Sequence, residues 1–390
     1  MATASTTMDG SFDEAPYTVP VYAQLPLQPV AGEGVFLLTR DGRRILDMYG
    51  GHAVACLGYG HPRLTAAISE QAQRLLFQSN VVPLDVRASA ARALANFAPP
   101  GLDRVFLVNS GAEANENALR IACRRTGRER VIALEGAFHG RSGACGAVTW
   151  GAESWYGFPR LPFDVSFVSR DDPTSLAAAM GDDVAAVIIE PIQGVAGAVD
   201  ISHEYLRAAR TLASEHGSLL IFDEVQCGVG RSGYPFVADA AGVMPDLLTT
   251  AKGLAGGLPA GAVIMSNAIA DQLGFGELGT TFGGGPLACA AIEAVIGAIR
   301  EQSLLESVRR LSSRLRDECL TGPVTAVQGA GFLLGLRTTR PAVQIRDALL
   351  ERDILTGTSG DPHVLRLLPP LVLEDAHVDQ LVQTLTEIRP

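Results

Sequence analysis

Short apolar runs of strand length alternate with helical patterns through the middle of the chain. Near-continuous apolar strands indicate burial on both faces, which is typical of a mainly parallel sheet covered by helices. Crossover helices are predicted at 113–124 and 205–216. The strands are predicted at residues 104–108, 131–134, 185–189, 219–222 and 247–250. This pattern predicts an α/β fold with one large sheet.

The pattern changes after residue 286. One long amphipathic helix is predicted over 287–319, and strand and helix patterns follow it. This change indicates a smaller α+β domain hinged on the long helix. The later elements are predicted as strands at 324–336 and 364–368 and helices at 342–351 and 374–388.

The chain is expected to divide into four parts. Hairpin-like signals at 30–50 fit either domain, and we assign them to the smaller one. The parts are a disordered N-terminal tail at 1–16, an N-terminal segment at 17–60 that joins the small domain, a large domain at 61–286 and a C-terminal small α+β domain at 287–390.

Composition excludes several classes of protein. The chain has 390 residues, is 47% hydrophobic and carries a net charge of −11, which allows a large core and argues against nucleic acid as a partner. It shows no signal-peptide pattern and no apolar stretch long enough to span a membrane. The six cysteines are scattered without zinc-site spacing, so we expect no metal and free thiols in a reducing cytoplasm.

Lys252 lies between a short apolar strand pattern and a glycine-rich loop. Small uncharged neighbours desolvate its amine, which disfavours the ammonium form and makes the amine a usable nucleophile. Asp223 ends an apolar run 29 residues upstream. A lysine that can form an imine and a carboxylate that can hold a pyridinium nitrogen are the pair that pyridoxal phosphate chemistry requires. Alone, each residue is ordinary, since most lysines are solvated surface groups.

Residues 109–114 follow a predicted strand and open a predicted helix. Ser110 and Glu113 have the spacing of a capping box, and Gly111 lets the backbone approach a ligand closely. The free amides and the dipole of such a helix favour an anion such as a phosphate monoester. A plain helix cap after a tight turn explains the same residues equally well.

Three further side chains suggest ligand contacts. Phe138 and Arg141 follow a strand end, where Phe138 could stack on a flat ring and Arg141 could bind a carboxylate. By themselves they fit a core phenylalanine and a surface arginine better. Arg366 lies in an apolar stretch, where its charge needs a carboxylate from the protein or from a substrate unless the side chain reaches the surface.

Residues 228–233 match the dinucleotide-binding fingerprint GxGxxG and follow a strand. The fingerprint requires a helix N-terminus directly afterwards to bind the pyrophosphate. Residues 234–237 are not expected to open a helix, so we interpret the segment as a loop.

The ordered set of segments resembles the class III, fold type I pyridoxal-phosphate aminotransferases, and within them the acetylornithine and succinylornithine enzymes. The resemblance runs from about residue 22 to the end of the chain. It implies the fold of that family, with a large domain that binds the cofactor and a smaller α+β domain. The segments that carry it are MYGGHAV at 48–54, NSGAEAN at 109–115, FHGR at 138–141, EPIQG at 190–194, DEVQ at 223–226, AKG at 251–253 and TTFGG at 280–284.

The resemblance implies roles for the residues around the cofactor. Lys252 would hold pyridoxal 5′-phosphate covalently and move the proton during catalysis, and Asp223 would bind the pyridine nitrogen. Gln226 would bond the phenolic oxygen. The two ring faces would be covered by Val225 and Phe138, and the phosphate would be held by Ser110, Gly111 and Ala112.

The same resemblance implies the substrate contacts and the assembly. Thr281 would reach the phosphate of a neighbouring subunit, so a homodimer would be the minimal active unit. Arg141 and Arg366 would bind the two carboxylates of glutamate, each through charge-assisted hydrogen bonds.

Three residues depart from the family pattern. Many relatives have a glutamate after EPIQG that pairs with the equivalent of Arg366 when the amino donor is bound, and Val195 stands there in this chain. Gly285 replaces a usual asparagine and Gln328 a usual arginine, and we expect both changes to be tolerated.

By resemblance, the expected activity is transfer of the terminal amino group of N²-acetylornithine to 2-oxoglutarate, in arginine biosynthesis. N-succinylornithine, ornithine, an acylated lysine or another ω-amino acid are the alternative donors. There are two rival interpretations. One is a pyridoxal-phosphate decarboxylase or aminomutase, and the other is a nucleotide-binding module built on residues 228–233.

Overall fold

The computed structural model describes residue 14 and residues 16–389. Most of the predicted disordered tail at 1–16 therefore lies outside the described residues. The strands are β1 (Pro29–Glu33), β2 (Phe36–Thr39), β3 (Arg44–Asp47), β4 (Arg104–Val108), β5 (Arg130–Leu134), β6 (Asp164–Val168), β7 (Val184–Ile189), β8 (Ile192–Gln193), β9 (Val199–Asp200), β10 (Leu219–Asp223), β11 (Leu247–Thr250), β12 (Gly261–Met265), β13 (Val324–Ala330), β14 (Leu333–Thr338), β15 (Ile354–Leu355), β16 (Gly357–Thr358) and β17 (Val364–Leu367).

Helices cover the sheets and connect their strands. Within the described residues, no helix is both long and apolar enough to cross a membrane. The helices are α1 (Gly50–Ala53), α2 (Pro62–Arg74), α3 (Asp85–Ala95), α4 (Gly111–Thr126), α5 (Gly143–Ala147), α6 (Pro173–Ala179), α7 (His203–His216), α8 (Val237–Ala241), α9 (Asn267–Ala270), α10 (Pro286–Glu301), α11 (Leu304–Glu318), α12 (Ala342–Leu350) and α13 (Asp375–Glu387).

The largest sheet has seven strands in the order β4-β12-β11-β10-β7-β5-β6. Only β12 runs antiparallel to its neighbours, and the other pairs described in this sheet are parallel. All five predicted strands are present, with bounds within one residue of the prediction. Their inner residues are buried, because helices cover both faces, except in the edge strand β4, where Val105 and Phe106 are half-buried. The predicted α/β fold with a mainly parallel sheet is therefore confirmed.

The prediction of one long helix over 287–319 is wrong. The structure has two helices there, α10 and α11, and the break lies at Ser303, whose φ is +51°. This left-handed conformation cannot continue an α-helix, so the chain changes direction at this residue. Both helices carry an apolar face, which is why their joint pattern looked continuous.

Two four-stranded sheets and the two-stranded sheet β8-β9 lie outside the large one. β13, β14, β17 and β16 form one four-stranded sheet, and β1, β2, β3 and β15 form the other. In the second sheet, β3 pairs in parallel with β15, so the N-terminal hairpin joins a strand from near the C-terminus. This pairing agrees with assigning 17–60 to the small domain, although the domain division itself stays a prediction.

Residues 228–233 form a turn, but the expectation that no helix follows was wrong, because the short helix α8 begins at Val237. Its first amides are already bonded. The buried Glu224 carboxylate accepts from the N–H groups of Val237 at 2.6 Å and Ala238 at 2.8 Å. A protein carboxylate therefore fills the place that a dinucleotide pyrophosphate would need.

Candidate active site

Five of the seven segments that carry the sequence motifs meet at one edge of the large sheet. Residues 109–112 follow β4, residues 138–141 follow β5, Glu190 follows β7, Asp223 ends β10 and Lys252 follows β11. These strands run parallel to one another, so their carboxyl ends lie side by side. This edge is where open α/β sheets bind ligands.

A cavity of about 390 Å³ lies at this edge. Arg366 and Thr281 are not among the residues that line it. The predicted residues that do line it are Ser110, Gly111, Ala112, Phe138, Arg141, Asp223, Val225, Gln226 and Lys252.

Lys252 is the only lysine in the sequence. It is partly exposed to the cavity, and its backbone has a φ of +46°, an uncommon conformation for a residue with a side chain. Burial lowers the pKa of its amine, while the nearby carboxylates of Asp223 and Glu190 oppose this shift. The lowered pKa favours the neutral, nucleophilic amine.

Asp223 is held from three sides. Asn115 Nδ2 donates to its Oδ2 at 2.7 Å, and His139 Nδ1 lies 2.8 Å from the same oxygen. The N–H of Val225 donates to Oδ1 at 3.0 Å. Asn115 is in turn oriented by the Thr249 hydroxyl, which donates to its Oδ1 at 2.6 Å. These bonds fix the carboxylate at the floor of the cavity.

Helix α4 points its N-terminus at the cavity. The Ser110 hydroxyl caps the helix by accepting from the N–H of Glu113 at 3.1 Å, and the Glu113 carboxylate accepts from the N–H of Asn109 at 3.0 Å. The amides of the first helical turn have no acceptors within the helix, so they are available to an anion. At Gly111 an added Cβ would lie 2.6 Å from the Val225 side chain, so only glycine fits between the two segments.

The Glu190 carboxyl group is buried in the wall of the cavity. It accepts from the N–H of Phe138 at 2.7 Å and from the N–H of Gly194 at 3.4 Å. Burial raises its pKa to about 7, and the negative charge of Asp223 adds to this shift. Glu190 therefore ties together Phe138 and the segment that precedes Val195.

Arg366 lies on β17 and is only 6% exposed. Its Nε donates to the carbonyl of Thr358 at 2.7 Å, one terminal nitrogen to the carbonyl of Gly194 at 3.1 Å and the other to the Tyr49 hydroxyl at 3.0 Å. Burial lowers the pKa of the guanidinium. Among the described residues, no acidic side chain forms a salt bridge with it.

Arg141 and Thr281 are exposed. The Arg141 guanidinium lies 4.6 Å from the ring centre of Trp155 and 5.9 Å from that of Phe138, at the mouth of the cavity. Thr281 lies in the turn before α10. Its predicted contact requires a second chain, and so it stays a prediction.

Sequence reasoning assigned no role to Asn115, His139 or Glu190. All three lie inside the motif segments, and Glu190 directly follows an apolar strand pattern, which was the available signal for that residue. Their roles depend on partners far away in the chain, such as Asp223, and only the fold brings those partners together. Lys252 is also the single lysine of the sequence, which is a further signal for its role.

The comparisons with known proteins all indicate the same family. The family profile "Aminotransferase class-III" matches residues 18–388. The acetylornithine aminotransferase of Streptomyces coelicolor is 45% identical over 371 residues, which cover 94% of this chain and 91% of that protein. The succinylornithine transaminase/acetylornithine aminotransferase of Pseudomonas aeruginosa is 38% identical over 382 residues, with 93% of each chain covered.

A solved structure shares the fold. The ornithine aminotransferase from Toxoplasma gondii superposes with a TM-score of 0.90 at 29% identity, and the match covers 96% of this chain and 92% of that one. That structure is described as having partial occupancy of PLP at its active site.

Proposed function

The chain belongs to the class III aminotransferases, and from this premise we propose that it transfers the terminal amino group of N²-acetylornithine to 2-oxoglutarate. Its substrates are thus an amino-group donor and a keto acceptor. The observation that carries the donor is the similarity to acetylornithine aminotransferases, at 37–45% identity over nearly the whole chain. Such a donor places the protein in arginine biosynthesis.

Pyridoxal 5′-phosphate is the cofactor of this family, and the residues of the cavity fit it. The cavity holds one lysine with a lowered pKa, a helix N-terminus with free amides and a fixed carboxylate. Within the described part of the chain, Gln226 Oε1 is buried without a hydrogen-bond partner. When bound, the cofactor supplies an electron sink for the carbon that loses its proton.

Each part of the cofactor has a matching group. The amides and hydroxyl at Ser110, Gly111 and Ala112 would hold the phosphate, as expected for a helix N-terminus. Asp223 would accept the pyridinium N–H, and the network behind it keeps that oxygen in place. Gln226 would bond the phenolic oxygen. Val225 and Phe138 would cover the two ring faces.

Lys252 would act as the base and acid of the reaction. Burial lowers the pKa of its amine, which favours the neutral form that can take a proton from the donor carbon and return it at another atom. In the second half-reaction the same amine works in the reverse direction on 2-oxoglutarate. The donor product leaves before the acceptor binds, so the kinetics are ping-pong.

Two arginines would bind the carboxylates of glutamate and 2-oxoglutarate. Arg366 is buried and held by neutral oxygens, which leaves its charge free for an anionic substrate. Arg141 lies at the mouth of the cavity and could bind the distal carboxylate. Two such contacts favour a dicarboxylic acceptor over a decarboxylation substrate.

A homodimer would complete the site. Apolar side chains are exposed near Thr281, where the rings of Phe77 and Phe282 pack at a tilt with their centres 5.3 Å apart. Phe282 is 65% exposed and Leu76 is 62% exposed. Such a cluster of exposed large apolar residues is typical of a subunit interface. Burying it against a second copy would bring Thr281 to the phosphate of the neighbouring site.

The six cysteines are all free in the structure. Free thiols persist in reducing compartments. We therefore propose a cytoplasmic location.

A donor panel tests the proposed donor, with 2-oxoglutarate as acceptor and glutamate formation as the readout. N²-acetylornithine should give the highest kcat/KM, followed by N-succinylornithine, with ornithine and 4-aminobutyrate well below both. Faster glutamate formation from 4-aminobutyrate or free ornithine would refute the assignment. An absolute requirement for 2-oxoglutarate would exclude the decarboxylase interpretation.

N-succinylornithine is the second candidate donor. The relative from Pseudomonas aeruginosa carries both activities in its name. A kcat/KM for N-succinylornithine above that for N²-acetylornithine would reverse the order of the two candidates. An acylated lysine or another ω-amino acid would be identified in the same panel.

A further inference from the structure

Tyr49 and His52 belong to the motif segment at 48–54, but neither lines the cavity. The Tyr49 hydroxyl accepts from a terminal nitrogen of Arg366 at 3.0 Å and lies 2.8 Å from His52 Nδ1. The carbonyl oxygen of His52 lies 3.5 Å from Nε2 of Gln226, which does line the cavity. Arg366, Tyr49 and His52 therefore form one chain of hydrogen bonds directly behind the cavity wall.

The protonation of the three groups fixes the direction of each hydrogen bond in this chain. Arg366 can only donate, so the Tyr49 oxygen accepts from it and the hydroxyl hydrogen is left for His52. Burial raises the pKa of Tyr49, which keeps the hydroxyl protonated. Burial lowers the pKa of His52, and the charges of Arg366 and Lys252 lower it further. The His52 ring is therefore neutral, with Nδ1 as the acceptor and its hydrogen on Nε2.

An unusual backbone turn places the His52 ring against Tyr49. The four residues of α1 (Gly50–Ala53) have φ between +55° and +69°, so the turn is left-handed. Residues with a side chain rarely adopt this conformation in succession. Asp47 Oδ1 stabilises the turn by accepting from the N–H of Tyr49 at 2.8 Å and from that of Gly50 at 2.9 Å. Backbone strain of this kind persists where the surrounding structure holds it, and it is concentrated at functional sites.

Arg366 keeps two N–H groups for a ligand. A guanidinium carries five, and three of them donate to the carbonyls of Thr358 and Gly194 and to the Tyr49 hydroxyl. One N–H remains on each terminal nitrogen, which is the pair that binds a carboxylate through two parallel hydrogen bonds. Burial lowers the pKa of Arg366, and the Tyr49 hydroxyl and the charge of Glu190 oppose this shift.

The three acceptors of Arg366 differ in how firmly they are held. Two are backbone carbonyls, and the third is the hydroxyl of Tyr49, whose hydrogen can rotate about the C–O bond. A rotated hydroxyl could donate to a bound carboxylate instead of accepting from Arg366. His52 prevents this rotation by accepting the hydroxyl hydrogen. The angle of the guanidinium thus depends on His52 through Tyr49.

We propose that Tyr49 and His52 are positioning residues for the glutamate half of the reaction. They fix the angle at which Arg366 presents its two free N–H groups to the carboxylate next to the reacting carbon of glutamate and 2-oxoglutarate. This inference rests on the role given to Arg366 in the proposed function. Amines without that carboxylate do not use Arg366, so the pair determines how well the site converts glutamate relative to such amines.

L-glutamate and 4-aminobutyrate provide the test, since 4-aminobutyrate is glutamate without the carboxylate next to the reacting carbon. Each amine is mixed with the holoenzyme, and conversion of the cofactor is followed by absorbance in a single turnover. Tyr49→Phe should lower the limiting rate constant for glutamate about 10- to 100-fold, as expected for a carboxylate misplaced by up to about 1 Å. The glutamate concentration at half-saturation should change less, and the rate with 4-aminobutyrate should stay near its wild-type value.

Two variants of His52 separate the imidazole from the backbone turn. His52→Asn keeps an acceptor at the place of Nδ1 and favours positive φ, so it should convert glutamate at nearly the wild-type rate. His52→Ala removes the acceptor in a conformation that Ala53 already adopts. It should slow glutamate about 2- to 10-fold, the effect of one neutral hydrogen bond. Adding His52→Ala to Tyr49→Phe should cause no further loss, since His52 acts through the hydroxyl.

Tyr205→Phe is the matched control, because it removes the hydroxyl of a buried tyrosine on α7 that does not line the cavity. Its rates with both amines should match the wild type. Equal losses with glutamate and 4-aminobutyrate in Tyr49→Phe would indicate a general structural role and overturn the proposal. Faster conversion of glutamate in Tyr49→Phe would also overturn it, since the hydroxyl would then compete with the substrate carboxylate.

These outcomes are distinguishable from failure of the proposed function. If glutamate converts the wild-type cofactor no faster than 4-aminobutyrate, the role of Arg366 and this inference are both wrong. If N²-acetylornithine does not react while the two amines behave as expected, the proposed donor is wrong and this inference stands. If N²-acetylornithine and glutamate both react but Tyr49→Phe does not separate glutamate from 4-aminobutyrate, the inference is wrong and the proposed function stands.

Discussion

His139 Nδ1 lies 2.8 Å from Asp223 Oδ2, although 84 residues separate the two in the chain. Asn115 donates to the same oxygen from helix α4. The carboxylate that would bind the pyridine nitrogen is thus oriented by one side chain from helix α4 and one from the segment that follows β5. Its position depends on the packing of the large sheet as a whole.

Asn115→Leu should destabilise the protein and slow catalysis. The substitution leaves Asp223 and the Thr249 hydroxyl each without one buried partner, which costs about 1–3 kcal/mol of unfolding free energy per group. Urea unfolding and kcat measure the two effects. Asn117→Ala, on the same helix, is the control, because Asn117 is only partly buried and bonds to a helix carbonyl. Comparable losses in both variants would contradict a specific role for Asn115.

Lys252→Ala should abolish turnover, with a loss of about 10²–10⁴-fold from proton transfer alone. Borohydride reduction of the wild-type holoenzyme should attach the cofactor to one peptide, and the assignment is unambiguous because the sequence holds no other lysine. Lys252→Arg keeps a positive charge and should be equally inactive and unlabelled. Labelling of either variant by mass spectrometry would show that the covalent linkage lies elsewhere.

Arg366→Ala should raise the KM for glutamate far more than the Kd for the cofactor. Loss of a charge-assisted contact predicts an effect of about 10- to 100-fold on kcat/KM for glutamate. Arg337→Ala is the control, since Arg337 lies on the neighbouring strand β14 and makes a half-exposed ion pair with Asp361. Steady-state kinetics and cofactor titration measure the effects. Equal weakening of both ligands would refute the substrate role.

Glu190 should make the protein less stable as pH rises. Burial raises its pKa to about 7 in the folded protein, above the ordinary value of 4.5. Between these values the folded state holds a proton that the unfolded state has lost, so unfolding free energy falls as pH increases, by up to about 3 kcal/mol. Glu190→Gln cannot titrate and should lose this part of the slope.

Urea unfolding at pH 5 and pH 8 measures the Glu190 effect as a difference between wild type and variant. Glu153→Gln, at an exposed glutamate, is the control and should keep the wild-type slope. A wild-type slope in Glu190→Gln would mean that another group carries the pH dependence.

Thr281→Ala should weaken cofactor binding about 10- to 100-fold if the residue reaches the phosphate of a neighbouring subunit. Mixing Thr281→Ala chains with Lys252→Ala chains then provides a sharp test. In a mixed dimer, one site has both residues intact and should recover about half of the wild-type activity per dimer at limiting cofactor. Absence of recovery in a dimer confirmed by ultracentrifugation would place Thr281 away from the shared site.

The hydrophobic pattern alone determined the parallel core of the large sheet. Its five predicted strands lie between helices in the structure because an apolar run buried on both faces has few other stable arrangements. The motif segments likewise indicated the pyridoxal phosphate family, and five of the seven lie at or just after the ends of such strands. Local sequence carries this information because strand, turn and helix cap are short-range features.

Tertiary structure decided what depends on distant partners. The chain breaks between α10 and α11 because Ser303 has a left-handed backbone conformation, and the continuous apolar pattern of the two helices does not reveal it. The Glu224 carboxylate accepts from the first amides of α8, and the GxGxxG pattern at 228–233 does not reveal this contact. Arg366 gains its neutral hydrogen-bond partners only after β17, Tyr49 and Gly194 pack together. A charge acquires its function from the groups that surround it, and those groups are assembled only by folding.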